Sequence, residues 1–134
     1  MNPTSRLRLL SAAAHAADDR GSVVVLTNDA DPLDHRDAIA NAARVELQFP
    51  QFTDGRAYSQ AYLIRRRLRF AGDLRALGDV LADQLIQMER TGFSSAVLKD
   101  GIAPEDARRQ LDRFGAFYQA DVVRDAPYRA GDAD

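Results

Sequence analysis

Groups able to do chemistry concentrate in three short segments: Thr27-Asn28, Phe52–Ser59 (FTDGRAYS) and Gly78-Asp79. Each lies between an apolar run and a helical pattern. Each is therefore expected at the carboxyl end of a parallel strand, where α/β folds place their sites. Asp54 and Asp79 offer carboxylates for acid–base work. Capping is the simpler reading, since an aspartate ahead of a helix accepts from its unpaired N–H groups. Arg56 stands in a first helical turn, where the dipole does not favour a cation. It implies either a structural carboxylate, Asp54 or Glu46, or an anionic ligand. Tyr58 has a hydroxyl suited to proton transfer, although most tyrosines pack with that hydroxyl satisfied. Arg75 is mid-strand and needs a partner if buried, and Glu46 on an adjacent strand is the expected one. With Ser59 these residues make a candidate rim for a ligand or a partner; no catalytic role is assigned to any of them.

Other patterns carry less. Asp29, Asp31, Asp34 and Asp37 resemble a metal run, but a calcium loop from Asp29 needs Gly at its sixth position and Glu at its twelfth. Asp34 and Ala40 stand there, so a capped helix start is preferred. His15 and His35 share no zinc spacing, and cysteine is absent, which removes disulfides, thiolate metal sites and thiol redox chemistry by this chain alone. Neither a GxGxxG fingerprint nor a Walker loop is present. No cofactor and no metal is expected. The Arg65-Arg66-Arg67-Arg69 cluster is spread around a helix at about 100° per residue, so a solvated face is its default reading. Tyr58, Tyr62, Arg65 and Arg69 share one stripe, a composition enriched in protein interfaces. That stripe is the first choice for a partner contact.

The elements that must hold these groups alternate. Val23–Thr27, Val45–Phe49, Leu74–Leu77 and Phe93–Leu98 read as strands. Asp31-Pro32 opens a helix as N-cap and N1 proline. Further helices run from Asp54-Gly55, over Val80–Thr91 to a stop at Gly92, and from Pro104 through Tyr118. An amphipathic helix is expected near residues 4–18 rather than a signal peptide, because Ser11 and His15 interrupt the apolar run. Residues 1–124 form one α/β domain on this reading, and 125–134 a flexible tail. Four βα units with parallel strands follow. Stripes such as Ala57, Ala61, Ile64 and Leu68, or Leu81, Leu85 and Met88, mark buried helix faces.

Strand parity refines this. Val45, Leu47 and Phe49 oppose Glu46 and Gln48, and Leu74 and Ala76 oppose Arg75 and Leu77. Helices are expected on one sheet face, with the charged residues on the other. That pattern suits a (βα)4 half-barrel with a polar concave side; an open doubly wound sheet is the alternative. A face so mixed invites a second copy, hence an expected homodimer. A formal charge of −2 gives no broad attraction to nucleic acid or anionic membrane, and no run approaches a membrane span of about 18 apolar residues. A cytoplasmic protein is expected.

The run FPQFTDGRAYSQAYLIRRRLRFAGDLRALGDVLADQLIQMERTGF, Phe49 to Phe93, with FGAFYQ at Phe114–Gln119, resembles a bacterial domain-of-unknown-function family. Members of that family are described as oxidoreductases of sulfite reduction because their genes lie beside those of sulfite reductase. The matching positions are Phe52, Asp54, Gly55, Arg56, Tyr58, Ser59, Arg75, Gly78, Asp79, Gln84, Gly92 and Phe93, which is how Gln84 joins the candidate site. The family has no established catalytic residues to carry over. Thr91 replaces a cysteine frequent in the family, and Asp73 a usual glutamate. The resemblance implies an accessory, non-catalytic protein of assimilatory sulfite reduction, whose partner is the sulfite reductase hemoprotein or its electron donor. The alternative is a small enzyme or ligand-binding protein that takes an anionic sulfur compound or a flavin at the rim.

Overall fold

The computed structural model describes residues 7–19, 21–51, 55–81 and 84–113. The β-branched run Val23–Leu26 forms strand β2. Asp31 then accepts from the Leu33 N–H at 3.0 Å and Pro32 occupies the first turn of a 3-10 segment, Pro32–His35, that continues as helix α2, Arg36–Ala40. Strand β3 is Arg44–Phe49. Helix α3, Arg56–Tyr62, passes into a π turn at Leu63–Arg67. Strand β4, Asp73–Gly78, precedes helix α4, Leu85–Thr91, and strand β5 is Ser95–Val97. Residues 104–113 are helical and are called α5. The expected alternation of strands and helices is present. Phe114–Tyr118, the tail and Asp54 lie outside the described residues.

The amino-terminal expectation needs correction. Arg8–Leu10 is a strand, β1, paired parallel with β5, and helix α1 is confined to Ala12–Ala17 after an N-cap at Ser11. Alanine favours helix locally, but the three residues before Ser11 gain backbone partners from a strand far along the chain, and tertiary pairing wins. Among the described residues the sheet therefore has five parallel strands, in the order β1-β5-β4-β3-β2.

This order explains where the helices go. From β2 to β5 each strand lies beside its predecessor, and α3 and α4 pack on one face. Ala57, Ala61, Ile64, Leu85 and Met88 meet Val45, Leu47, Phe49, Leu74, Ala76 and Ala96 there, all essentially inaccessible. Burial of this kind contributes about 25 cal/mol per Å² of apolar surface. The connection from β1 to β2 runs back across the sheet in the opposite direction. Right-handed crossovers then require it on the other face, and α1 is there, with His15 against Arg75 and Glu46. The second face is the polar one expected from parity: Arg44, Glu46 and Gln48 of β3, Asp73, Arg75 and Leu77 of β4, and Ser95 and Val97 of β5.

Gly78 ends β4 with φ of 103°, and a Cβ there would lie 2.4 Å from the Phe49 carbonyl oxygen. A left-handed backbone and a close neighbouring strand both demand glycine. The turn brings the Asp79 N–H to the Phe49 carbonyl at 2.7 Å, closing the carboxyl ends of β3 and β4 together.

Candidate functional site

Charged side chains collect on the second sheet face beneath α1. Residues two apart on a strand share a face, and this spacing builds two pairs. On β3, Arg44 Nε donates to Glu46 Oε2 at 2.9 Å; on β4, Arg75 Nη2 donates to Asp73 Oδ2 at 2.9 Å. The segment after α1 joins them: Arg75 Nη2 also donates to Asp18 Oδ2 at 2.8 Å, and Arg44 Nη1 lies 3.3 Å from the same oxygen. Arg75 Nε donates to Ser95 Oγ at 2.9 Å. Its Nη1 lies 3.0 Å from His15 Nδ1. A guanidinium has no acceptor, so Nδ1 accepts and the imidazole proton is on Nε2, which faces Glu46 Oε2 at 3.9 Å. Arg75 is fully buried, and each of its three guanidinium nitrogens meets a carboxylate or another acceptor.

This arrangement corrects the expected Arg75–Glu46 bridge. The two residues do stand opposite one another in the β3–β4 register, yet each guanidinium takes the carboxylate of its own strand, and Arg75 adds Asp18. Glu46 is likewise not the partner of Arg56.

Asp73 is the hinge of the network. It accepts from Ser94 Oγ at 2.6 Å, Ser95 Oγ at 2.8 Å and Arg8 Nη2 at 3.2 Å besides Arg75. Burial pushes its carboxyl up, but the two hydroxyls and the charges of Arg75 and Arg8 outweigh burial and hold it below the usual carboxylate range. A cleft of about 580 Å³ opens at the amino ends of the strands, with Arg8, Asp18, Arg44, Asp73 and Ser94 in its wall.

The residues expected at the rim are distributed differently. Arg56 and Ser59 are exposed on α3, whose N-cap is Gly55. Asp29, beyond β2, is held below the usual range chiefly by a hydrogen bond from Thr27, with a lesser contribution from the charge of Arg56. Tyr58 packs edge-on against Phe49 at 5.1 Å and against Phe93 at 6.4 Å between ring centroids. Asp79 pairs with Lys99 Nζ at 2.8 Å, and α4 starts six residues later with Gln84 as its N-cap. Gln84 Oε1 accepts from the Leu81 N–H at 3.4 Å. Arg56, Tyr58, Asp79 and Gln84 thus follow the carboxyl ends of β3 and β4, whereas Arg75 lies on the opposite face. Tyr58 and Ser59 also line a groove of about 430 Å³ between α3 and α4, with Tyr62, Leu63 and Thr91.

Arg65 is not part of an exposed stripe. The π turn swings it inward, where Nε donates to the Gly92 carbonyl at 2.8 Å and Nη1 to those of Phe70 at 2.9 Å and Gly72 at 2.8 Å. Burial lowers its pKa, opposed by the charge of Asp73. Arg66 instead stacks on Tyr62 at 5.2 Å. Sequence reasoning also missed Gln60, which is buried and donates through Nε2 to the carbonyls of Thr27 and Ala30, both at 2.8 Å, fixing the turn after β2. It missed Asp18, His15, Arg44 and Ser95 as well. The Arg44-Val-Glu46 and Asp73-Leu-Arg75 patterns were the available signal.

Among the described residues no group of three or more His, Cys, Asp and Glu side chains is arranged to hold a metal, and no helix is long and apolar enough to cross a membrane. No curated protein and no solved structure matches the chain. Residues 23–129 match a family whose description is "Bacterial protein of unknown function (DUF934)". The matched span begins at the first residue of β2 and takes in Arg44, Glu46, Asp73 and Arg75, leaving β1, α1 and Asp18 before it, and on that match the chain belongs to the DUF934 family.

Proposed function

We propose that this protein is a non-catalytic accessory protein of bacterial sulfite reduction, acting in the cytoplasm by binding another protein through the α3–α4 groove. The observation that carries this is Tyr62, a large aromatic residue 50% exposed at the groove and stacked with Arg66. Exposed tyrosine and arginine beside an apolar depression are the composition of interface anchors. The partner class, the sulfite reductase hemoprotein or its electron donor, follows from the resemblance of the Phe49–Phe93 run. Immobilised hemoprotein should retain the wild-type protein and release Tyr62→Ala and Ser59→Arg, with all three melting alike. Equal retention of the three refutes the groove. No retention of the wild type, together with a ligand that stabilises it in a thermal-shift screen, favours the second reading.

That second reading is a small enzyme or ligand-binding protein that takes an anionic sulfur compound or a flavin. It is supported by the placement of Arg56, Asp79 and Gln84 after the carboxyl ends of β3 and β4. The sequential order of β2 to β5 with α3 and α4 on one face supports a half-barrel-like curl for this part of the sheet. Beyond α1 the second face leaves Val25 56% exposed and Val23 37% exposed, with Gln48 and Leu77 half-buried. This supports a homodimer closed over that region, for which sedimentation equilibrium is the measurement; a monomer at tens of micromolar, well above the ~1 μM that corresponds to about 8 kcal/mol of association, excludes it.

A further inference from the structure

A helix that covers a sheet normally does so with apolar side chains. α1 does not: five of its six residues are alanine, and none of the six is buried. Charge fastens this segment. The Asp18 carboxylate sits between the guanidiniums of Arg75 and Arg44, at 2.8 and 3.3 Å, and the Asp18 carbonyl accepts from Arg44 Nη2 at 3.3 Å. The two arginines belong to neighbouring strands, and each has a second carboxylate of its own, Asp73 for Arg75 and Glu46 for Arg44. Asp18 can therefore leave without stranding either cation. Among the described residues three arginines, Arg8, Arg44 and Arg75, face three carboxylates, Asp18, Glu46 and Asp73. Withdrawal of Asp18 leaves a net positive seat beside the 580 Å³ cleft, whose wall already includes Arg44 and Asp18.

We infer that Arg44 and Arg75 form a binding site for a small carboxylate, and that Asp18 is its built-in occupant, replaceable by an external carboxylate entering through the cleft. Planar guanidinium groups match carboxylates in geometry as well as charge. The seat is held by strands on one side and by a segment without apolar anchorage on the other, so exchange costs the core nothing. This site is separate from the α3–α4 groove and does not depend on what binds there.

Chemical rescue tests it. Asp18→Ala should melt lower than the wild type in sodium chloride at neutral pH. Sodium acetate at equal ionic strength, at ten times its dissociation constant, should raise the Tm of Asp18→Ala by about 5 °C and that of the wild type by less than about 1 °C. The rescue should vanish in Asp18→Ala combined with Arg44→Met. A response of Asp18→Ala no larger than that of the wild type overturns the site, and a larger rescue by sulfate overturns the carboxylate assignment. If Asp18→Ala does not fold, the Nε–H signals of Arg44 and Arg75 in the wild type are titrated with acetate and with chloride. Saturable shifts specific to acetate support the site; identical responses overturn it.

Discussion

Arg75→Met removes the centre of the ion network while keeping roughly its volume. Four contacts are lost: Asp18, Asp73, Ser95 and His15. Breaking a buried ion pair by removing one partner costs about 3–5 kcal/mol, because a charge is left without compensation. The lower end applies here. Asp73 keeps Ser94, Ser95 and Arg8, and Asp18 keeps Arg44. At an unfolding entropy of about 2.1 cal/mol/K per residue, a chain of this length loses roughly 3.5 °C of Tm per kcal/mol, so a fall of about 10 °C is expected. Calorimetry gives the shift, and double-mutant cycles in urea apportion it. Coupling of Arg75 to Asp18 or Asp73 should exceed about 1 kcal/mol and should be larger than its coupling to Glu46. A fall of less than about 3 °C, or a stronger coupling to Glu46, refutes the partner assignment.

Three other outcomes follow from the same geometry. Asp73 has its carboxyl lowered in the fold, so the stability it contributes is complete above its unfolded pKa of about 3.9 and is lost as pH falls through its folded value; Asp73→Asn should flatten that part of an acid-denaturation curve, and an unaltered curve counts against the network. Gly78→Ala places a Cβ against the Phe49 carbonyl at positive φ, and should lower stability by about 1–3 kcal/mol in chemical denaturation. Arg65→Met frees three carbonyls through which the π turn is tied to the end of α4 and to the segment before β4; a loss of roughly 2–3 kcal/mol is expected, with faster amide exchange at Gly92 and Phe93, and exchange unchanged there would show that the tie is dispensable.

Much of the scaffold was legible because its signals are local. The run at Val23, the alternation from Val45 and the glycines at positions 78 and 92 each declare an element within a few residues. Parity on β3 and β4 also showed that one sheet face is charged and that Arg75 must have a carboxylate there. What it did not show was which one. Glu46 is the cross-strand neighbour, but a guanidinium is long enough to reach back along its own strand to Asp73 and up to Asp18 on the covering segment. Neither choice leaves a periodic trace. β1 was hidden for a related reason: its pairing partner is β5, and an alanine-rich stretch beside it resembles helix. On a regular helix Arg65 would belong to a solvated face, and the π turn at Leu63–Arg67 breaks that regularity.

The position of β1 also has a consequence for the order of events during synthesis. The Leu7 N–H is bonded to the carboxylate of Glu89, 82 residues away, and β1 pairs with β5 beyond it. A ribosome adding about 5–20 residues per second needs roughly 4–16 s to cover that interval. Among the described strands β1 must wait for β5, while β2, β3 and β4 find their neighbours as they emerge. Throughout that wait α1 has no β1–β5 pairing to anchor its start, whereas the Arg44–Glu46 and Arg75–Asp73 pairs, each contained in one strand, need nothing made later.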